Sequence, residues 1–145
     1  MRLALEQAAR AAEMGEVPVG ALLVDEAGEV LAACGNRTIS NCDPCGHAEI
    51  LALRQGAERL QNYRLLGCTL YVTMEPCAMC AGAAVWARLK RVVFAAFDIK
   101  AGALGSVLSL HNQPGFNHRL EISGGLMADE SVALLQSFFK ARRTK

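Results

Sequence analysis

His47-Ala48-Glu49 and Pro76-Cys77-Ala78-Met79-Cys80 are the two short runs whose residue types could do chemistry together. Residues three apart on a helix share a face, so Cys77 and Cys80 can point at one ion. A helix N-terminus carries partial positive charge, which favours thiolate over thiol. Zinc takes nitrogen and sulfur ligands tetrahedrally, and three protein ligands leave a fourth position for water, as catalytic sites do. Water held there is acidified toward neutrality. His47, Cys77 and Cys80 are therefore the expected ligands of one Zn2+ ion. Glu49 stands two residues from His47 and so leaves that residue's side of the helix. Its carboxylate is expected to miss the metal, face water and substrate, and carry protons between them.

The elements that must position these groups follow from hydrophobic period and turn residues. Between His47 and Cys77 stand 29 residues, enough for one helix and one returning strand. Leu3, Leu5, Ala8, Ala9, Ala12 and Met14 recur at helical spacing, so Met1 to Met14 is expected to be a helix stopped by Gly15. Val17 to Val24 and Val30 to Cys34 read as strands of a hairpin around Asp25-Glu26-Ala27-Gly28-Glu29. Asn36 to Gly46 is a polar, irregular loop. Ile50, Leu51, Leu53, Ala57 and Leu60 describe a helix beginning at His47. Thr69 to Thr73 is a strand, and Pro76 is expected to open a helix running through Trp86. Arg91 to Phe97 is a further strand, Ala103 to Leu110 a short helix, and Leu120 to Ile122 a last strand. Asp129 to Arg142 closes the chain as an amphipathic helix with Val132, Leu135, Phe138 and Phe139 on its apolar side. Helices alternating with strands predict an α/β fold, a three-layer α/β/α sandwich around a mixed sheet of about five strands.

With 145 residues, the chain is expected to form one domain spanning 1–145 and to need no metal as a staple. The net charge of +1 gives no global attraction to nucleic acid. Lys140, Arg142, Arg143 and Lys145 concentrate four cations at the end, and Arg88, Lys90 and Arg91 form a second cluster. Such runs are either solvated helix ends or phosphate contacts. The first helix lacks the apolar run of an export signal, and no segment is long and apolar enough for a membrane span. A cytoplasmic protein without membrane partners is expected, its six cysteines free thiols or metal ligands. Cys42-Asp43-Pro44-Cys45 offers a rival, a closed structural site of four thiolates with Cys77 and Cys80. That site would leave His47 and Glu49 without a role. Cys42 and Cys45 are expected as free loop thiols, and Cys34 and Cys68 as core residues.

The H-x-E and P-C-x-x-C pair is the signature of zinc deaminases of nucleobases. Around it stand Glu16-Val17-Pro18-Val19-Gly20-Ala21, Gly35-Asn36-Arg37, Gln61-Asn62-Tyr63-Arg64-Leu65, Asp98-Ile99-Lys100-Ala101-Gly102-Ala103, Asn117-His118-Arg119 and Phe138-Phe139. On these residues the chain resembles the bacterial tRNA-specific adenosine deaminases of the cytidine deaminase-like superfamily. The resemblance implies conversion of the wobble adenosine of a tRNA anticodon stem-loop to inosine, by a homodimer with one zinc per subunit. It further implies that Asn36 contacts the flipped nucleoside, that Val17 and Ala48 line the pocket, and that Asp98 and Phe139 lie along the anticodon loop. Arg142 and Arg143 are the expected phosphate contacts of the basic tail. Cys45-Gly46 replaces the Thr-Ala often seen before the histidine in that family. Two readings stand beside this one: a zinc deaminase of a free base or nucleoside of guanine or cytosine type, and a non-enzymatic zinc-stabilised RNA-binding module.

Overall fold

A computed structural model describes residues 1–144. The elements run α1 (Arg2–Glu13), β1 (Gly20–Val24), β2 (Val30–Gly35), α2 (Ala48–Leu60), β3 (Thr69–Met74), α3 (Ala78–Trp86), β4 (Arg91–Ala96), β5 (Glu121–Gly124) and α4 (Ala128–Arg143). The sheet has the order β2-β1-β3-β4-β5. β1 is antiparallel to both β2 and β3, whereas β3, β4 and β5 are mutually parallel. α1 and α4 cover one face, and α2 and α3 the other. The expected three-layer α/β/α sandwich with a mixed five-stranded sheet is what forms.

The main core lies under α2 and α3. Ala21, Leu23, Leu70, Val72, Val92 and Phe94 of the sheet meet Ala48, Ala52, Leu53, Ala81, Ala84 and Val85 of the two helices. Burying a Leu or Val side chain stabilises by about 1.5–3 kcal/mol, so this layer supplies the main driving force for folding. The opposite face is built from small residues. Ala4, Ala8 and Ala11 of α1 are fully buried. Gly20 and Gly35, partners across β1 and β2, let the α1 backbone rest directly on the strands. A Cβ at Gly20 would fall 1.9 Å from the Ala4 carbonyl oxygen, and one at Gly35 would fall 2.7 Å from that of Gln7.

Strand direction gathers the chemistry-bearing segments at one edge. Gly20 pairs with Gly35, and its N–H donates to the Thr73 hydroxyl of β3 at 3.1 Å. Met74 pairs with Ala96. The start of β1 and the ends of β2, β3 and β4 therefore lie level. Val17, Asn36, Cys77 and Asp98 all leave the sheet along that edge, the carboxyl end of its parallel strands, where open α/β sheets bind ligands.

Four local expectations need correction. Val17 to Val19 is not strand: the Val19 N–H turns back to the Val17 carbonyl at 2.8 Å, and Pro18 has no N–H for a ladder. Pro76 does not open α3, because Cys77 is its N-cap in extended backbone, and the Pro76 carbonyl accepts the Ala103 N–H instead. No helix forms over Ala103 to Leu110. The Leu104 and Ser106 N–H groups donate to the buried Glu75 carboxylate, and Gly105 adopts φ +131°, so only a short 3-10 turn at Leu110–Asn112 follows. The apolar side of α4 is not sealed. Ser131, whose hydroxyl donates to the Thr73 carbonyl, is its one buried residue, while Val132 and Phe139 stay exposed and Leu135 and Phe138 are partly covered. That single polar anchor holds the helix at the sheet edge and leaves a groove beside it.

Candidate metal centre and substrate pocket

His47 and Cys77 occupy equivalent places, each the extended N-cap residue of its helix, α2 and α3. Cys80 stands in the first turn of α3. The two helices pack side by side on one face of the sheet, which brings the three side chains together. His47 Nδ1 lies 3.7 Å from Cys77 Sγ and 3.5 Å from Cys80 Sγ. Tetrahedral zinc with ordinary bond lengths places nitrogen and sulfur ligands about 3.6 Å apart. The donor set and its spacing therefore fit the ion. Among the described residues, this trio is the one group of three or more His, Cys, Asp or Glu side chains close enough to hold a metal.

The rival four-thiolate site does not form. Cys42 and Cys45 are exposed on the loop before α2 and stand outside the trio. Cys34 and Cys68 are buried, as expected of core residues. The Cys77 thiol is drawn down to about 5, first by the Cys80 thiol, against the opposing effect of burial, and then by the Cys80 N–H, the His47 ring and the Met79 N–H. Cys80 moves the other way, raised by its hydrogen bond to Cys77 and by burial. One thiol of the pair is thus pre-disposed to be a thiolate at neutral pH.

Glu49 is 4% exposed and lies within α2's first turn, beside the trio but not part of it. Burial pushes its carboxyl up to about 7, with the neighbouring Cys77 charge adding to the rise. A carboxyl poised there can both accept and return a proton near neutral pH.

The other expected site residues divide by place. Ala48 is fully buried at the start of α2, and Val17 is half-buried ahead of β1. Asn36 is buried, and its side-chain oxygen accepts the Ala48 N–H at 2.9 Å. Asp98 uses Oδ1 to accept the Lys100 and Ala101 N–H groups, which fixes its carboxylate within its own loop. Phe139 and Arg143 line an open groove of about 640 Å³ with Phe97, Lys100, Leu135 and Arg142. Arg142 is otherwise engaged: its guanidinium donates to the Gly15 carbonyl and stacks over the Phe138 ring at 4.6 Å. It ties α4 to the end of α1. Arg88, Lys90 and Arg91 lie at the opposite end of β4 from the metal trio, and Lys145 lies outside the described residues.

Sequence reasoning missed two buried carboxylates. Glu16 accepts from the N–H groups of Ile39 and Ser40 and the hydroxyls of Thr38 and Ser40, clamping the loop that follows Asn36. Glu75 does the same for the loop after β4. An isolated Glu beside Val or Pro carries no pattern that announces burial.

Comparison with known proteins places these features in context. Residues 1–96 match the family model described as the cytidine and deoxycytidylate deaminase zinc-binding region. The chain is 51% identical over 143 residues to a tRNA-specific adenosine deaminase of Haemophilus influenzae, covering 99% of this chain and 83% of that protein. Its identity to the Bacillus subtilis tRNA-specific adenosine deaminase is 42% over 145 residues, covering 100% and 89% of the two chains. A solved structure from work on A-to-I editing by tRNA:A34 deaminases superposes with a TM-score of 0.90 at 44% identity, over 93% of this chain and 97% of that one. A guanine deaminase from Nitrosomonas europaea superposes with a TM-score of 0.77 at 27% identity, over 93% and 80%.

Proposed function

The chain belongs to the tRNA-specific adenosine deaminases of the zinc-binding cytidine and deoxycytidylate deaminase family, and from that premise we propose that it converts the wobble adenosine of a tRNA anticodon to inosine. The observation that carries the reading is the convergence of His47 with Cys77 and Cys80 at 3.5–3.7 Å, with a buried Glu49 beside them. When bound by that trio, zinc supplies an acidified water at neutral pH.

Glu49 is the proposed acid–base. It takes a proton from the attacking water, delivers one to the ring nitrogen next to the carbon under attack, and returns one to the departing amine. One water is consumed and one ammonia released for each adenosine converted to inosine. Asn36 is fixed by the Ala48 N–H, which leaves its amide end to meet the nucleoside. Val17 and Ala48 are the proposed apolar walls.

The anticodon loop suits this site physically, because its bases are already unpaired and flipping one out costs less than from a duplex. The groove of Phe97 and Phe139, rimmed by Lys100 and Arg143, offers ring faces for a splayed base and cations for phosphate, while Arg142 braces its wall through Gly15 and Phe138. Asp98 is the proposed contact at the mouth of the pocket. The reading also takes 1–145 as one deaminase domain acting in the cytoplasm. It further takes the protein as a homodimer with one zinc per subunit. Tyr63 and Trp86, 72% and 67% exposed, flank a mostly apolar hollow of about 390 Å³ between α2 and α3. Monomers rarely leave so much aromatic surface in water, which supports a second copy there.

The test is inosine formation in an anticodon stem-loop, run beside ammonia release from free guanine and cytosine. Conversion of the stem-loop alone is expected. Reaction of the free bases alone would transfer the protein to the base-deaminase reading, and zinc and RNA binding without turnover to the RNA-binding module.

A further inference from the structure

Glu75 directly follows β3, yet it is only 3% exposed and its carboxylate serves a loop 23 to 31 residues further on. Oε2 accepts the Asp98 N–H at 3.0 Å and the Ser106 hydroxyl at 2.5 Å. Oε1 accepts the Leu104 N–H at 3.1 Å and the Ser106 N–H at 3.0 Å. Gly102 is bent in so closely that a Cβ there would lie 2.4 Å from the Glu75 carboxylate carbon. The backbone on either side joins in: the Glu75 N–H donates to the Ala96 carbonyl, and the Pro76 carbonyl accepts the Ala103 N–H, both at 2.8 Å.

The segment so held is buried only at Gly102, Ala103 and Leu104, and its flanks face water. Ile99 is 83% exposed, and Lys100, Ala101, Ser106, Val107 and Leu108 are exposed beside it. Four hydrogen bonds to a buried charge are a strong tether for a loop whose outer side faces water. Ordering that loop is useful where the residues it presents must hold still relative to something else. The anchor point identifies that reference: Glu75 is two residues from Cys77, so the same corner that presents a metal ligand also fixes Asp98.

We propose that Glu75 is a positioning residue for RNA, locking the 98–106 loop to the metal-bearing corner so that the loop's substrate contacts and the reacting centre move as one body. The inference rests on the tRNA reading above. Glu75 touches neither substrate nor the reacting atoms; it acts through Asp98 and its neighbours.

The test compares wild type, Glu75→Gln and Ser106→Ala on the stem-loop, with zinc content and amide hydrogen exchange measured on the same samples. Glu75→Gln is expected to raise KM about tenfold or more while kcat stays within about threefold, the pattern of lost ground-state binding. Zinc content should remain at wild-type level while exchange at the Asp98, Leu104 and Ser106 amides quickens. Ser106→Ala, which removes one hydroxyl from an exposed position, should move KM the same way by less. It carries the test by itself should Glu75→Gln fail to fold. An unchanged KM in the variants, or a joint fall of kcat and zinc content at constant KM, overturns the proposal. A wild-type protein inert on the stem-loop refutes the tRNA reading itself, and the positioning role with it.

Discussion

The side-chain oxygen of Asn36 accepts the backbone N–H of Ala48 at 2.9 Å, joining the loop after β2 to the first turn of α2. The bond spans twelve residues and ends between the proposed metal ligand His47 and the proposed acid–base Glu49. Asn36→Ala would leave a buried N–H without a partner, a loss of about 1–3 kcal/mol. Asn36→Asp keeps the acceptor, so urea unfolding should stay near wild type while turnover falls, because a carboxylate cannot offer the amide's donors. Equal loss of stability in both variants would count against the division of labour.

Glu49→Ala should keep fold and zinc while turnover falls by about 100-fold or more. Single-turnover deamination with metal analysis on the same sample checks this. Undiminished turnover removes Glu49 from the mechanism.

Zinc should be bound at one per subunit and be lost in His47→Ala and Cys80→Ala. The core beneath α2 and α3 does not run through the metal, so the stripped protein should remain folded by circular dichroism and lose turnover. Unfolding on chelation would make the ion a structural staple.

Glu16 gives a pH signature. Burial pushes its carboxyl up, but hydrogen bonds from Ser40, Ile39 and Thr38 outweigh that and hold it below the ordinary value. A depressed native pKa contributes stability above the unfolded carboxylate's pKa and loses it as pH falls through the native one. Acid unfolding of wild type should therefore be steeper than that of Glu16→Gln. Identical acid profiles would contradict the clamp.

Arg142 and Arg143 should part company. Arg143→Ala is expected to lower the salt dependence of stem-loop affinity by about one unit of slope. Arg142→Ala should cost stability first, since that guanidinium bonds the Gly15 carbonyl and covers Phe138. Titrations at several salt concentrations, paired with thermal melts, separate the two.

The metal trio was legible in the sequence because Cys-x-x-Cys and His-x-Glu fix local spacing, and local spacing survives folding. The hairpin around Asp25 was legible for a similar reason: Asp25 Oδ1 caps its own turn at Ala27 and Glu29. What stayed hidden depended on distant partners. Ala103 to Leu110 has the composition of a helix, yet its Leu104 and Ser106 amides are claimed by Glu75, 29 and 31 residues earlier in the chain. Val132, Leu135, Phe138 and Phe139 have the period of a buried stripe, yet Ser131 decides how α4 sits. The opposed roles of Arg142 and Arg143 follow from where Gly15 lies in space.

The methyl-free contact of α1 with Gly20 and Gly35 has a bearing on engineering. Nothing larger than hydrogen fits at those two positions, so an alanine at either glycine would prise the helix outward. The lever ends at Glu16 and Val17, where the chain turns into the proposed binding cleft. A substitution made deep on the far layer, remote from any reacting atom, would thus reshape the mouth through which a nucleoside enters.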